Sequence, residues 1–366
     1  MIIFQFVISQ VLIIGTLVVA RQLDFFRSQP LGFNKEAIVT ISMPQDETSR
    51  LHGLKNKFQQ IAGIESVSLG LFSPTSRGNW QGSFNFPGSG LDYITVVMRP
   101  ADPDYFNTFG LTLLAGRDLK DTDSLRTAVV VNETILRMMG IQDPQEAIGK
   151  TITTFDDETT IVGVVKDFYA FSLREPIAPV LLFNDPDRIR MAALKITTGD
   201  ISGILAQAEQ AFKVHYPESI FEYQFLDETI ARLYQDEEKV SQLFTIFSGI
   251  AILIGSLGLY GLISFIAVQK TKEIGVRKVL GASVLNIVYL FTREFFLLIL
   301  IAFAIAAPLG WYFMQNWLQD FEYRIPLGPE IFLAAVFFTI LIASLTVGYR
   351  SIRAALSNPV DSLKIE

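Results

Sequence analysis

Apolar positions in this chain are clustered. Four stretches, residues 2–20, 242–268, 287–314 and 331–347, run almost free of charge. Each is long enough for a membrane-spanning helix, which needs about 20 mostly apolar residues. Residues 21–241 alternate apolar and polar positions as a water-exposed domain does. Period two predicts strands at 38–42, 66–71, 93–99, 111–114, 127–132, 151–154, 160–165, 180–183, 191–196 and 220–225. Period 3.6 predicts helices at 50–61, 103–109, 133–139 and 201–215. Two βαβ-like pieces flank a more β-rich middle. The expected fold is therefore four transmembrane α-helices carrying one α+β domain of two subdomains.

Two of the spans are expected to leave the bilayer as rods. Residues 227–268 contain no proline, and their glycines, Gly249, Gly255, Gly258 and Gly261, all lie in the apolar half. As one helix of about 42 residues it measures about 60 Å, twice the roughly 30 Å hydrocarbon thickness. Its outer turns carry Asp236, Glu237, Glu238 and Lys239, with Ile230, Leu233 and Tyr234 as an apolar stripe. After the first span, residues 22–27 hold no helix breaker, and Pro30-Leu31-Gly32 stops the run. No basic residue precedes that span and no small-residue cleavage site follows it, so it reads as a retained anchor and not as a signal peptide.

Charge fixes the orientation. Short loops rich in Lys and Arg stay cytoplasmic. Lys270, Lys272, Arg277 and Lys278 lie between spans two and three, and Arg350, Arg353 and Lys364 follow span four. The loop between spans three and four has Arg324 beside Asp320 and Glu322. The basic loop and the C-terminus are thus expected inside, and the large domain outside. A net charge of −7 argues against a nucleic-acid partner. The chain has no cysteine, which removes disulfides, cysteine-ligated zinc and thiol catalysis.

Catalytic readings fail. His52 and His215 stand far apart without neighbouring ligands. Gly149-Lys150-Thr151 resembles the end of a phosphate loop, but the glycine needed five positions earlier is Pro144. Asp156, Asp157 and Glu158 read as a solvated hairpin turn, and no nucleophile elbow or His-Glu-x-x-His occurs. Arg293 and Glu294 read as interfacial residues of the third span, Pro308 as a kink, and Gly255, Gly258 and Gly261 as a packing face toward the first span or a partner subunit.

The loop at 269–283 is the most informative segment. Glu273 and Arg277 are spaced for a helical ion pair. Val276, Val279 and Leu280 form a narrow apolar face; Gly281 suits a helix stop and Ser283 the next cap. A short amphipathic helix is expected there, its narrow face suiting a protein groove.

That loop resembles the Glu-Ile-Gly-(Val/Ile)-Arg-(Lys/Met)-x-x-Gly-Ala motif of FtsX/MacB-type ABC transporter permeases, with Glu273, Ile274, Gly275, Val276, Arg277, Lys278, Gly281 and Ala282 in register. Gly163-Val-Val-Lys-Asp-Phe168 resembles the Gly-Val-Val-x-Asp-Phe stretch of the family's periplasmic domain. Asn358-Pro359-Val-Asp361-Ser-Leu363 resembles its Pro-x-(Asp/Glu)-x-Leu tail. The resemblance implies a first span and stalk at 1–28, a MacB-like periplasmic core domain at 29–226 with porter-like and inserted β-rich subdomains, and an FtsX-like permease domain at 227–366. It implies a bacterial inner-membrane location and a cytoplasmic ABC ATPase on a separate chain, since no Walker motif occurs here. That ATPase is expected to contact Lys270, Lys272, Glu273, Ile274, Gly275, Val276, Arg277, Lys278, Gly281 and Ala282. Motion of that loop would pass along the stalks to do export or other work outside, with no substrate conducted between the spans. No cofactor or metal is implied. The layout resembles the C-terminal half of eight-span Bacteroidetes-type permeases, so a second permease half or a homodimer partner is expected, alongside lipid and a periplasmic adaptor or substrate protein. The competing reading is a signalling or regulatory subunit using the same ATPase-driven coupling.

Overall fold

The computed structural model describes residues 2–45, 48–78, 80–86, 93–154, 157–197, 199–269 and 284–355. They form two compact units, Met1–Ser28 with Asp236–Glu366, and Gln29–Gln235. The first unit holds four helices long and apolar enough to cross a membrane. These are α1 (Ile2–Ser28), α8 (Gln235–Gln269), α9 (Val284–Leu318) and α10 (Pro329–Ala355). Pro308 lies inside α9. Phe6 and Val7 of α1, Leu259 and Ile263 of α8, Phe295 and Ile299 of α9, and Ala343 and Val347 of α10 share one buried cluster.

Helix α8 approaches α1 through small residues. Phe244 lies directly against Gly15, and a side chain at Gly258 would meet Oε1 of Gln5 at 2.9 Å. Gly255 faces Ser9, whereas none of the described residues comes within 4 Å of a side chain placed at Gly261. The glycine face is thus two-thirds toward the first span. Most large apolar residues of α8, among them Leu243, Ile250, Leu253 and Leu257, remain exposed, as suits lipid.

In the outer unit, β1 (Ile38–Ser42), α2 (Thr48–Gln59) and β2 (Ile64–Gly70) make a first βαβ piece. A second comprises β10 (Met191–Ile196), α6 (Ile201–His215) and β11 (Tyr223–Phe225). The four strands form an antiparallel sheet in the order β11-β1-β10-β2. This is the βαββαβ ferredoxin-like arrangement, split between β2 and β10. Leu51, Leu54 and Phe58 of α2 and Ile204, Ala208 and Phe212 of α6 cover its buried face.

Everything between β2 and β10 is the insertion. Its strands are β3 (Gln81–Asn85), β4 (Ile94–Pro100), β5 (Leu113–Gly116), β6 (Ala128–Asn132), β7 (Thr151–Thr154), β8 (Asp157–Val165) and β9 (Val180–Phe183). Helices α3 (Tyr105–Phe109), α4 (Glu133–Met138) and α5 (Pro144–Ala147) join them. The order β5-β8-β6-β9-β4-β3-β7 has a further pairing of β7 with β8. Six strands therefore close into a ring with β5 at its side, which leaves few free edges. The two expected subdomains are a split ferredoxin-like sheet and this inserted barrel.

Three sequence expectations change. The strand β3, absent from the period-two reading, closes the barrel between β4 and β7. Asp157 and Glu158 do not form a turn; they belong to β8 opposite Thr154 and Thr153, and Asp157 pairs with Arg126 at 2.9 Å. Asp156 lies outside the described residues. The helix expected over 227–268 is real but tightened once. Helix α7 (Leu226–Ala231) passes through a 3-10 turn at Arg232–Tyr234 into α8, with Ala231, Arg232 and Gln235 all in the right-handed helical region. The run Leu226–Ile266 is 41 residues long, about 60 Å at the α-helical rise.

Ala37, just before β1, has φ 56°, a left-handed conformation that costs a non-glycine residue about 1–2 kcal/mol. Ala37→Gly relieves that strain but loosens the unfolded chain by about 0.4–1 kcal/mol. The thermal midpoint is therefore expected to hold or rise slightly, while Ala37→Val lowers it. Scanning fluorimetry of the two variants checks this.

Candidate functional site

The ten loop residues singled out by the sequence, Lys270, Lys272, Glu273, Ile274, Gly275, Val276, Arg277, Lys278, Gly281 and Ala282, lie outside the described residues, as do the tail residues Asn358 to Leu363. The side chains of Arg293 and Glu294 are likewise outside the described set. What is described is the frame around the loop. Its bounding helices end at Gln269 and begin at Val284.

Polar groups stitch that frame together. In hydrocarbon each backbone or amide group must find a partner inside the protein. Buried Gln10 of α1 donates through Nε2 to the Ile299 carbonyl at 3.3 Å, and Thr16 and Ser248 share a hydroxyl hydrogen bond of 2.8 Å. Gln22, fully buried, holds the turn after α9 from both ends. Its Nε2 donates to the Tyr323 carbonyl at 2.9 Å, and the Ile325 N–H donates to its Oε1 at 2.9 Å. Further along α1, Arg21 pairs with Glu330 at 3.0 Å and Arg27 with Glu238 at 2.8 Å. The first rod is thereby linked to the second at Glu238. These pairs are exposed, so each contributes about 0–1 kcal/mol.

Among its described residues the outer unit holds two buried polar clusters and a third that is partly buried. Lys55 sits on the apolar face of α2 with Leu51, Leu54 and Phe58. Its Nζ donates to Asp102 Oδ2 at 2.6 Å and also to Asp104. Asp102 accepts in addition from Ser68 Oγ at 2.8 Å and the Leu69 N–H at 2.9 Å. Burial alone pulls the Lys55 ammonium down, but the carboxylates of Asp102 and Asp104 outweigh it and hold its pKa above the ordinary lysine value. This cluster ties the exit of β4 back to β2 and α2, that is, the barrel to the sheet.

Arg99 of β4 is fully buried, and among the described residues no carboxylate pairs with it. Its guanidinium reaches the carbonyls of Met98 at 3.5 Å and Ala170 at 3.4 Å and lies 5.3 Å from the Phe72 ring centroid. Burial pushes its pKa down to about 10.

The third cluster centres on Asp167 of the Gly-Val-Val-Lys-Asp-Phe stretch. Its Oδ1 accepts from Asn132 Nδ2 at 2.8 Å and the Thr134 N–H at 2.9 Å, and its Oδ2 from Arg137 at 2.6 Å. Its own N–H donates to Glu133 Oε2 at 2.9 Å. Asp167 thus caps α4, and Asn132 is free to bridge to the Ala178 carbonyl and the Val180 N–H, each at 2.9 Å. Phe168 beside it is buried. The carboxylates of Asp102 and Asp167 already hold donors, so these clusters hold elements together and offer no reactive group.

The remaining sequence candidates fall apart in space. Pro144 opens α5, and Gly149-Lys150 forms the turn into β7. The His215 ring nitrogen Nδ1 lies 3.0 Å from the Ala211 carbonyl of its own helix. Among the described residues no three His, Cys, Asp or Glu side chains converge as a metal site. One signal for the Lys55 cluster was available: a lysine at the i+4 position of an otherwise apolar helical stripe.

Two family models match the chain, the MacB-like periplasmic core domain over residues 6–211 and the FtsX-like permease C-terminal region over residues 245–359. The macrolide export ATP-binding/permease protein MacB 1 of Yersinia pestis bv. Antiqua (strain Antiqua) is 23% identical over an alignment covering 99% of this chain and 54% of its own length. The uncharacterized ABC transporter permease YknZ of Bacillus subtilis (strain 168) is 23% identical over 72% of this chain and 68% of its own. The chain spans about half the length of that MacB relative. The crystal structure of the periplasmic region of MacB from Actinobacillus actinomycetemcomitans aligns with a TM-score of 0.39 and 19% identity, covering 55% of this chain and 94% of that one. With the matched segments lying in the order outer domain then permease region, this chain belongs to the MacB/FtsX-like family of ABC transporter permeases.

Proposed function

We propose that this chain is the permease subunit of an ABC transporter of the mechanotransmission type. A separate cytoplasmic ATPase binds the 269–283 segment through Lys270, Lys272, Glu273, Ile274, Gly275, Val276, Arg277, Lys278, Gly281 and Ala282. Nucleotide-driven movement of that segment is carried by α8 and α1 to the outer domain, which performs export or other envelope work. The observation that carries this reading is the helical run from Leu226 to Gln269. It begins directly after the last strand of the outer sheet and ends at the residue before Lys270. A helical run carries displacement along its axis where a flexible linker would absorb it, with the 3-10 turn at Arg232–Tyr234 as the place where this one can bend. In this reading the chain sits in a bacterial inner membrane with the outer domain in the periplasm and the C-terminus in the cytoplasm, an orientation supported by the basic short loops.

The names of the MacB relatives join ATP binding and permease in one protein. The proposed assembly adds a cytoplasmic ATPase and a second permease half or a second copy of this chain. Glu273→Ala and Arg277→Ala, made in the full chain with its ATPase coexpressed, are expected to abolish most stimulation of ATP hydrolysis while leaving the unfolding midpoint unchanged. An ATPase that neither binds the wild-type chain nor responds to it contradicts the proposal.

A further inference from the structure

Within the outer unit, the chain entering from α1 and the chain leaving toward α8 both fasten to one short segment, residues 167–173. On the entry side, Gly32 has φ +84°, and its absent side chain would lie 2.8 Å from the Phe168 Cα. Only glycine fits there, because of both the left-handed backbone and the close approach. The Tyr169 N–H donates to the Leu31 carbonyl at 3.0 Å. On the exit side, the Leu173 N–H donates to the Tyr234 hydroxyl at 3.0 Å, at the 3-10 turn that precedes α8. Leu31 is three residues past the end of α1, and Tyr234 is the residue before α8.

The same segment is held to the barrel. The Thr75 hydroxyl donates to the Tyr169 carbonyl. The Ala170 carbonyl accepts from the Ser76 N–H at 3.3 Å and from buried Arg99 at 3.4 Å. Asp167 anchors its start on α4. Alongside, Arg77 donates to the Arg232 carbonyl at 2.6 Å, so the loop that grips 169–170 also grips the 3-10 turn. A 3-10 stretch within a longer helical run is a frequent site of bending.

We propose that residues 167–173 are a clasp: the element in which displacements of the two rods are combined and handed to the barrel. This rests on the mechanotransmission reading above and deepens it by naming the receiving part. The Asp-Phe motif then has a mechanical reason, with Asp167 as the anchor and Phe168 as the buried seat for Gly32. Arg99 serves as a positioning residue, its guanidinium donating to the clasp's Ala170 carbonyl.

Hydrogen exchange of the full chain in nanodiscs tests the clasp without any nucleotide. Tyr234→Phe removes one hydrogen bond, so the Leu173 amide is expected to exchange about five- to tenfold faster. The clasp further requires faster exchange at the Tyr169 amide, on the opposite connector, in the same variant. Gly32→Ala is expected to produce the reciprocal effect at Leu173. Effects confined to the mutated side overturn the clasp, and the conservative Tyr234→Phe guards against mere misfolding. A second arm adds the ATPase and a non-hydrolysable ATP analogue. Slower or faster exchange at 167–173 in the wild type, blunted in Tyr234→Phe, is the expected result. A nucleotide response elsewhere in the outer unit that spares 167–173 overturns the clasp. No response anywhere in the outer unit, with reciprocal coupling intact, counts instead against ATPase-driven transmission.

Discussion

Lys55→Ala is expected to destabilise the outer domain by about 3–5 kcal/mol, the cost of removing one member of a buried ion pair. The loss is mostly in what stays behind. Asp102 is 3% exposed, and without the ammonium its carboxylate is left with Ser68 and the Leu69 N–H alone. Asp104 is half exposed and recovers water. Lys55→Met separates charge from packing, since methionine refills the apolar face of α2. It keeps the penalty of the stranded carboxylate and adds a pH signature. Burial is the leading cause that raises the Asp102 pKa, and Lys55 is the main group lowering it. In the variant the folded-state pKa therefore stands well above the unfolded one. A raised folded pKa gives stability that is present at low pH and lost as pH rises through it. Lys55→Met is thus expected to gain stability as pH falls below neutrality, and Lys55→Met/Asp102→Asn to recover much of the loss at pH 7. Thermal unfolding read by Trp80, which packs on Phe183 at 5.7 Å, reports this once Trp311 and Trp317 are replaced by phenylalanine. A pH-independent Lys55→Met variant would show that Asp102 is not stranded.

Asp167→Ala is expected to cost about 3 kcal/mol, since each buried donor left without a partner costs about 1–3 kcal/mol. The stranded groups are the Thr134 N–H at the start of α4 and one of the two Nδ2 hydrogens of buried Asn132, the other staying on the Ala178 carbonyl. Arg137 is exposed and finds water. Asp167→Asn restores one acceptor and should recover part of the loss. Beyond stability, the variant frees the first residue of the clasp. Limited proteolysis is therefore expected to cut within 167–178 at conditions where the wild type resists, while α1 and α8 remain intact. Cleavage elsewhere first would separate Asp167 from the clasp.

The membrane part of the fold was legible because its signal is composition, which needs no partner. Residues 2–20 and 331–347 lie in helices long and apolar enough to cross a membrane, as read. The split sheet was legible too, because Ile38–Ser42 and Met191–Ile196 alternate or fill with apolar residues. Strand Gln81–Asn85 was not, since Phe84 is its one fully buried side chain and glycine and serine dilute the rest. Closure of the barrel depends on its pairing with Thr153 and Thr154, about 70 positions away in sequence. The Asp-Phe motif was visible as a resemblance, but its work was not. Asp167 acts on Asn132, Thr134 and Arg137, 30 to 35 residues earlier. Tyr234 read as one position of an apolar stripe. Its hydroxyl contact with Leu173, 61 residues earlier, is a tertiary fact.

Nucleotide on the cytoplasmic side is expected to move the rods outside. The chain has no cysteine, so two can be placed at will. Spin labels at Ser28→Cys and Lys239→Cys flank the Arg27–Glu238 pair, which joins α1 to α8 at 2.8 Å. With the ATPase bound in nanodiscs, adding ATP is expected to shift the distance distribution between these labels, and Arg277→Ala is expected to abolish the shift. A distribution that stays the same while ATP is being hydrolysed would contradict the account.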